Sequence, residues 1–198
     1  MGCNVRFLNA CPGPRCLDIY TNNQLLKDNC SYKYLSDYTN VDSGDHSIKV
    51  YKSGNKHYPI LNAYTKLMDT SCHTIIASGQ NSDMSLFLVP DAHVPVTTAK
   101  AFLRFVNLAD SPDLDFTFTD GAFIMVNDIE YKEATQYYPV TPGTYTVKVY
   151  ISGTKQLLTE VPNFTLRRGR SYTLYVLGLM SDWNLMGHIV CSDGINWS

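Results

Sequence analysis

A chain of 198 residues has room for one large domain or for two of about a hundred residues each. Hydrophobic residues at 44% and charged residues at 17% give a globular balance, not a disordered one. A formal net charge of −2 argues against a nucleic-acid partner, which would call for a basic face, and no apolar run approaches the roughly 18 residues of a membrane span.

The opening "MGCNVRFLNACPGP" shows no charged-then-apolar leader and no small-residue cleavage site. Arg6 stands where a myristoylation signal wants Ser or Thr, so the start reads as an unmodified strand approach. "RFLNA" and "CLDIYT" read as strands on either side of a "PGPR" turn, while "NQLLKDN" is expected to make one helical turn at most. In "HSIKVYKS", Ile48 and Val50 alternate with Ser47, Lys49 and Tyr51, the period-two pattern of a strand with one buried and one wet face. "HTIIAS" and "MSLFLV" follow as further strands, separated by turns such as "SGN" and "SGQNSD".

The second half repeats the first. "SIKVYKSG" (Ser47–Gly54) returns as "TVKVYISG" (Thr146–Gly153), "VRFLNA" as "LRFVNL", "LDIY" as "LDFT" and "CHTIIASG" as "SYTLYVLG". From Tyr32 and Tyr131 onward the copies align at an offset of 99 without a gap. About seven short strands in some 90 residues is the content of an antiparallel β-sandwich. The expected architecture is all-β, with two tandem sandwiches of immunoglobulin-like or transthyretin-like type. The first spans 1–91, a short linker 92–102, and the second with a C-terminal tail 103–198.

"NACPGPRCLDIY", "VTPGTYTVKV" and "SYTLYVLG" resemble the three signature strands of a bacterial domain-of-unknown-function family, number 4397. The resemblance covers nearly the whole chain as two copies. It implies an envelope or exported β-sandwich protein with no established catalytic residues. Two departures stand out: the leader usual in exported members is missing, and Cys11 and Cys16 occupy positions where small residues usually sit.

Candidate chemistry is sparse. Cys72 and His73 are neighbours in a strand, so their side chains point to opposite faces and cannot readily pair as nucleophile and base. The cysteine intervals, Cys3-x7-Cys11-x4-Cys16-x13-Cys30, lack the short pairs of a zinc site. "DSPDLD" lacks the central Gly and distal Glu of a calcium loop and reads as a polar turn; "LRRGR" reads as a solvated hairpin turn. No catalytic residue, metal or cofactor is expected. Cys3, Cys11, Cys16, Cys30, Cys72 and Cys191 are the candidates for disulfides or cross-links, with Cys11 and Cys16 placed to close a small loop in an oxidising environment. Tyr, at 14 residues, suits contact surfaces, and Trp183 and Trp197 are the candidate interaction residues.

The expected function is therefore a non-catalytic structural subunit of a bacterial surface assembly: a spore coat, a spore appendage or a cell-surface fibre. Its partners would be further copies of itself, as a homo-oligomer or homopolymer, and other surface proteins. The alternative is a monomeric adhesin-like or carbohydrate-binding module. The expected location is a cell or spore surface reached without a visible signal peptide, with the cytoplasm as the alternative.

Overall fold

The computed structural model describes residues 2–13, 15–92, 99–118 and 123–194. The chain divides into two units, Met1–Asp91 and Ala92–Asn196. Most of the expected joint, residues 93–98, lies outside the described residues. Unit 1 holds β1 (Gly2–Ala10), β2 (Leu17–Thr21), β3 (Gln24–Cys30), β4 (Thr39–Asp42), β5 (Gly44–Lys52), β6 (Leu61–Leu67), β7 (Cys72–Ser78) and β8 (Ser85–Asp91). Unit 2 holds β9 (Ala101–Asp110), β10 (Leu114–Phe118), β11 (Phe123–Ile129), β12 (Tyr138–Val140), β13 (Gly143–Ile151), β14 (Leu157–Leu166), β15 (Ser171–Leu179) and β16 (Asp182–Asp193).

Each unit is a sandwich of two four-stranded sheets. The orders are β4-β1-β7-β8 with β3-β2-β5-β6, and β12-β9-β15-β16 with β11-β10-β13-β14, so the second unit repeats the first strand for strand. Pairing is antiparallel except for β1–β7 and β9–β15, which run parallel. Parallel neighbours need a long crossover, here supplied by the strands built between them. No helix among the described residues is long and apolar enough to cross a membrane.

The expected alternation holds in β5, where Ile48 and Val50 are buried and Lys49 and Tyr51 half-buried. It does not hold in β1, β7, β9 and β15, which are buried along nearly their whole length. These are central strands buried on both faces, and two of them carry a buried polar pair among their apolar residues, Arg6 and Asn9 in β1 and Arg104 and Asn107 in β9. "NQLLKDN" is a strand, β3, and not a helical turn. Asn22 (φ 47°) and Asn23 (φ 66°) both take positive φ and close a two-residue hairpin in which Thr21 faces Gln24.

Both cores use the same positions. Val5, Phe7, Leu17, Ile19, Ile48 and Val50 pack between the sheets of unit 1; Leu103, Phe105, Leu114, Phe116, Val147 and Val149 do so in unit 2. Each such side chain contributes about 1.5–3 kcal/mol relative to exposure. The half-exposed Lys148–Glu160 pair at 4.0 Å contributes at most about 1 kcal/mol, so packing decides stability.

Two buried polar residues per unit hold the irregular backbone. Asn9 donates from Nδ2 to the Cys30 carbonyl (2.9 Å) and accepts from the Cys11 N–H (3.0 Å); Asn107 does the same with Ile129 and Ala109, both at 3.0 Å. Asp18 accepts from the N–H groups of Asn29 (2.8 Å) and Gly54 (3.2 Å), and Asp115 accepts from Asp128 (3.0 Å). Asn29 (φ 50°) and Asp128 (φ 56°) are left-handed residues beside register shifts in β3 and β11. The carboxylates therefore serve N–H groups that the bulged ladder leaves unserved.

Burial alone would raise the Asp18 pKa, but the Asn29 N–H, the Ser53 hydroxyl, the Gly54 N–H and the Lys56 charge hold it below the ordinary 3.8. A carboxyl that ionises more easily folded than unfolded stabilises fully above the unfolded value, and that contribution is lost as pH falls through the folded one. Asp18→Asn should cost about 1–3 kcal/mol at pH 7, and the variant's melting temperature should converge on that of the wild type in strongly acidic buffer. Thermal melts at the two pH values check this; a gap that stays constant would contradict the role assigned to Asp18.

Candidate functional site

The largest buried polar group of unit 1 joins four elements. Arg6 on β1 donates from Nε to Thr74 Oγ1 on β7 (2.8 Å), and the Thr74 hydroxyl donates to Asp91 Oδ2 at the end of β8 (2.7 Å). Tyr38, just ahead of β4, donates its hydroxyl to the same oxygen (2.7 Å) and lays its ring over the Arg6 guanidinium at 4.6 Å. Arg6 Nη2 stands 3.6 Å from Asp91 Oδ2. Unit 2 rebuilds the set: Arg104 reaches Thr173 (2.8 and 3.0 Å), Thr173 and Tyr137 reach Asp193 (2.6 and 2.8 Å), and the Tyr137 ring lies 4.6 Å from the Arg104 guanidinium. Arg104 is 2% exposed and both threonines are fully buried. A hydroxyl beside a carboxylate has the composition of an acid–base pair, yet here arginine, threonine and carboxylate are all buried and the charges meet each other. The cluster is structural. Sequence alignment missed it because Asp91 and Asp193 are 102 positions apart, not 99.

Ser71, His73 and Asp91 also look like a nucleophile, base and orienting acid. The Ser71 hydroxyl instead donates to the Met68 carbonyl (2.5 Å) and only grazes His73 Nδ1 (3.3 Å), while Asp91 is occupied as described. Burial lowers the His73 pKa, opposed by Asp91, and Cys72 is buried while His73 is half-buried. In "DSPDLD", Asp115 is turned inward to Asp128, whereas Asp110 and Asp113 are exposed. Among the described residues no group of three or more His, Cys, Asp or Glu is placed to hold a metal ion.

All six cysteines are thiols, including Cys11 and Cys16 at the expected small loop. Cys3 and Cys30 are fully buried and Cys72 is 6% exposed, which puts these three out of reach of another molecule, and Cys11 is 8% exposed. Burial raises the Cys3 pKa and, helped by Asp18 and Asp28, pushes the Cys30 thiol up to about 12. Only Cys16 and Cys191 are partly exposed.

Four exposed apolar residues of unit 1 lie along or beside β6, Tyr58 at 83% exposed, Tyr64 at 78%, Met68 at 61% and Ile60 at 42%, while Leu25 on β3 (51%) and Tyr34 (39%) lie elsewhere. An offset of 99 puts Leu157, Thr159, Asn163 and Arg167 at the four β6 places in unit 2. There β14 carries Glu160 and Pro162 and is bulged at Asn163 (φ 56°), which are devices that guard an edge. Beside Ile60 lies a cleft of about 230 Å³, with Cys11, Pro12, Leu17 and Met84 in its wall and Arg15, Gln80 and Asn81 at its rim. Gly79 (φ 98°) closes it: a Cβ there would sit 2.4 Å from the Asp83 carbonyl oxygen. Beside Tyr64 is a second, shallower hollow of about 570 Å³, lined by Asn22, Asp45, His46, Ser47, Thr65 and Lys66.

Trp183 is 49% exposed in unit 2. It sits in the β15–β16 hairpin, where the copies part company. Ser171 pairs with Asp193 but Cys72 pairs with Asp91, so the second hairpin is three residues longer and the offset of 99 lapses there. The other candidate tryptophan, Trp197, lies outside the described residues.

The model of DUF4397, a domain of unknown function, matches the chain twice, over residues 3–117 and 109–188. The chain belongs to the DUF4397 family. No curated protein matches. Three solved structures are similar at low identity. One is a family 26 carbohydrate-binding module of Eubacterium rectale solved with maltoheptaose, at 11% identity, 99% of each chain covered and a TM-score of 0.33. The second is a candidate cell adhesion protein of Bacteroides fragilis, at 8% identity, 94% and 86% covered and a TM-score of 0.26. The third is the fimbrial anchor protein of Porphyromonas gingivalis, at 8% identity, 99% and 98% covered and a TM-score of 0.23.

Within this DUF4397 pair, the Asn of "NACPGP" and the Asp of "LDIY" are backbone pins, Asn9 and Asp18. Thiol titration of the folded protein under reducing conditions should modify Cys16 and Cys191 first. Cys3 and Cys30 should react only after denaturation. Mass spectrometry of the labelled peptides checks the order, and early labelling of Cys30 would contradict its burial.

Proposed function

We propose that this chain is a non-catalytic structural subunit of a bacterial surface assembly, a spore coat, spore appendage or cell-surface fibre, built by contacts between sandwich units and tied by disulfides between copies. The asymmetry of the two repeats carries this reading. Unit 1 displays Tyr58, Ile60, Tyr64 and Met68 along an open edge, whereas on the matching edge of unit 2 only Leu157 of the four counterparts is apolar, beside a bulge, a proline and charge. Exposed apolar groups gathered on one edge mark a contact surface. A patch larger on one of two repeated units favours contact between unlike surfaces, which builds open filaments where the rotation between copies does not close a ring. Cys16 and Cys191, one in each unit, are the thiols exposed enough to join neighbours.

A second reading is a carbohydrate-binding module, favoured by the Tyr64 ring beside the hollow of Asn22, Asp45 and Lys66. Aromatic rings with convergent polar groups suit sugars. Sedimentation velocity separates the two. A structural subunit forms larger species as concentration rises, and Ile60→Lys with Tyr64→Lys weakens them at least about tenfold. A monomer at every concentration that also gives Tyr64-dependent hits on a glycan array would replace the first reading with the second.

A further inference from the structure

The longest difference between the two units is the β15–β16 hairpin, and its extra length presents Trp183 at the tip beside Asp182. Asp182 accepts at Oδ1 from both the N–H and the Nδ2 of Asn184, each at 3.1 Å, which fixes its carboxylate one residue ahead of Trp183. A half-exposed tryptophan on a turn leaves a large apolar ring in water that burial would stabilise. Unit 1 carries a matching hole. Its cleft of about 230 Å³ has an apolar wall of Pro12, Leu17, Ile60 and Met84, and the exposed Arg15 stands at its rim.

We infer that Trp183 of one copy seats in the Ile60 cleft of a second copy, with Asp182 meeting Arg15. This contact rests on the assembly reading above and names its partner surfaces. Size agrees, because the cleft is of the order of one aromatic side chain and too small for another strand. Charge agrees as well: the knob carries a carboxylate and the hole a guanidinium, which also stacks favourably on an indole face. Gln80 and Asn81 line the cleft with side-chain amides, a type of group that accepts from an indole N–H, the one polar group the ring must satisfy when buried. Knob and hole lie on different units, so each copy offers both, and a head-to-tail contact of this kind extends from copy to copy wherever its rotation does not close a ring.

The test is sedimentation velocity of the full chain in reducing buffer, across a concentration series. Trp183→Ala should weaken association at least about tenfold, as loss of a buried aromatic anchor does. Arg15→Glu and Asp182→Arg should each weaken it several-fold, and the double variant should recover most of the loss, a result that a merely misfolded variant cannot give. Circular dichroism melts check that each variant stays folded, as expected for exposed positions. If the wild type assembles and Trp183→Ala assembles equally well, the contact is overturned while the assembly reading stands. If the wild type remains a monomer at every concentration, the assembly reading itself falls.

Discussion

A guanidinium on the central strand of a sheet can be buried only if its charge and its N–H groups are met on the spot. Each unit satisfies that constraint once, and the rest of its first sheet is arranged around the solution. The threonine comes from the parallel neighbour, the carboxylate from the last strand, and the tyrosine from the approach to the first edge strand. All four strands of that sheet are thereby tied to one charge. A slip of one residue along β7 or β8 would turn Thr74 or Asp91 to the opposite face and leave Arg6 buried without its partners. Removing one partner of such a pair costs about 3–5 kcal/mol, a sizeable part of the stability of a domain this small. The cluster thus works as a register lock, and its recurrence around Arg104 means that both sandwiches are locked in the same way.

The duplication is kept inside and abandoned outside. Core positions, the asparagine and aspartate pins and the arginine clusters repeat from one unit to the other. The surfaces diverge, with an apolar edge and a cleft in unit 1 and a guarded edge and a longer hairpin in unit 2. Shared interior and unlike exterior suit a subunit whose two halves fold alike but meet different neighbours. Where hydroxyl, imidazole and carboxylate groups come together in unit 1, at Thr74 and Asp91 and at Ser71 and His73, their hydrogen bonds go chiefly to backbone and to buried charge.

Much of this architecture was legible in the residues. The repeat, the strand content and the two-sandwich layout follow from alternation in "SIKVYKSG" and "TVKVYISG" and from the matching of one half to the other. The structural roles of Asn9 and Asp18 were not, because hydrogen bonds to distant backbone leave no local pattern. Asp91 and Asp193 escaped alignment through the three added residues in the second hairpin, and Tyr38 is one tyrosine among 14. The strand character of "NQLLKDN" turned on two adjacent asparagines adopting positive φ, a weaker turn signal than Asn-Gly. In sequence all six cysteines read as cross-link candidates, with Cys11 and Cys16 singled out for a small loop, whereas burial separates Cys30, deep in the core, from Cys16 near the surface.

Self-assembly through unlike surfaces is best examined by direct imaging. Negative-stain electron microscopy of purified protein, over a range of concentrations and with reductant present, looks for order without relying on any single residue. Elongated particles or fibres that lengthen with concentration are the expected result. Dispersed single particles of monomer size at every concentration would contradict a self-assembling subunit.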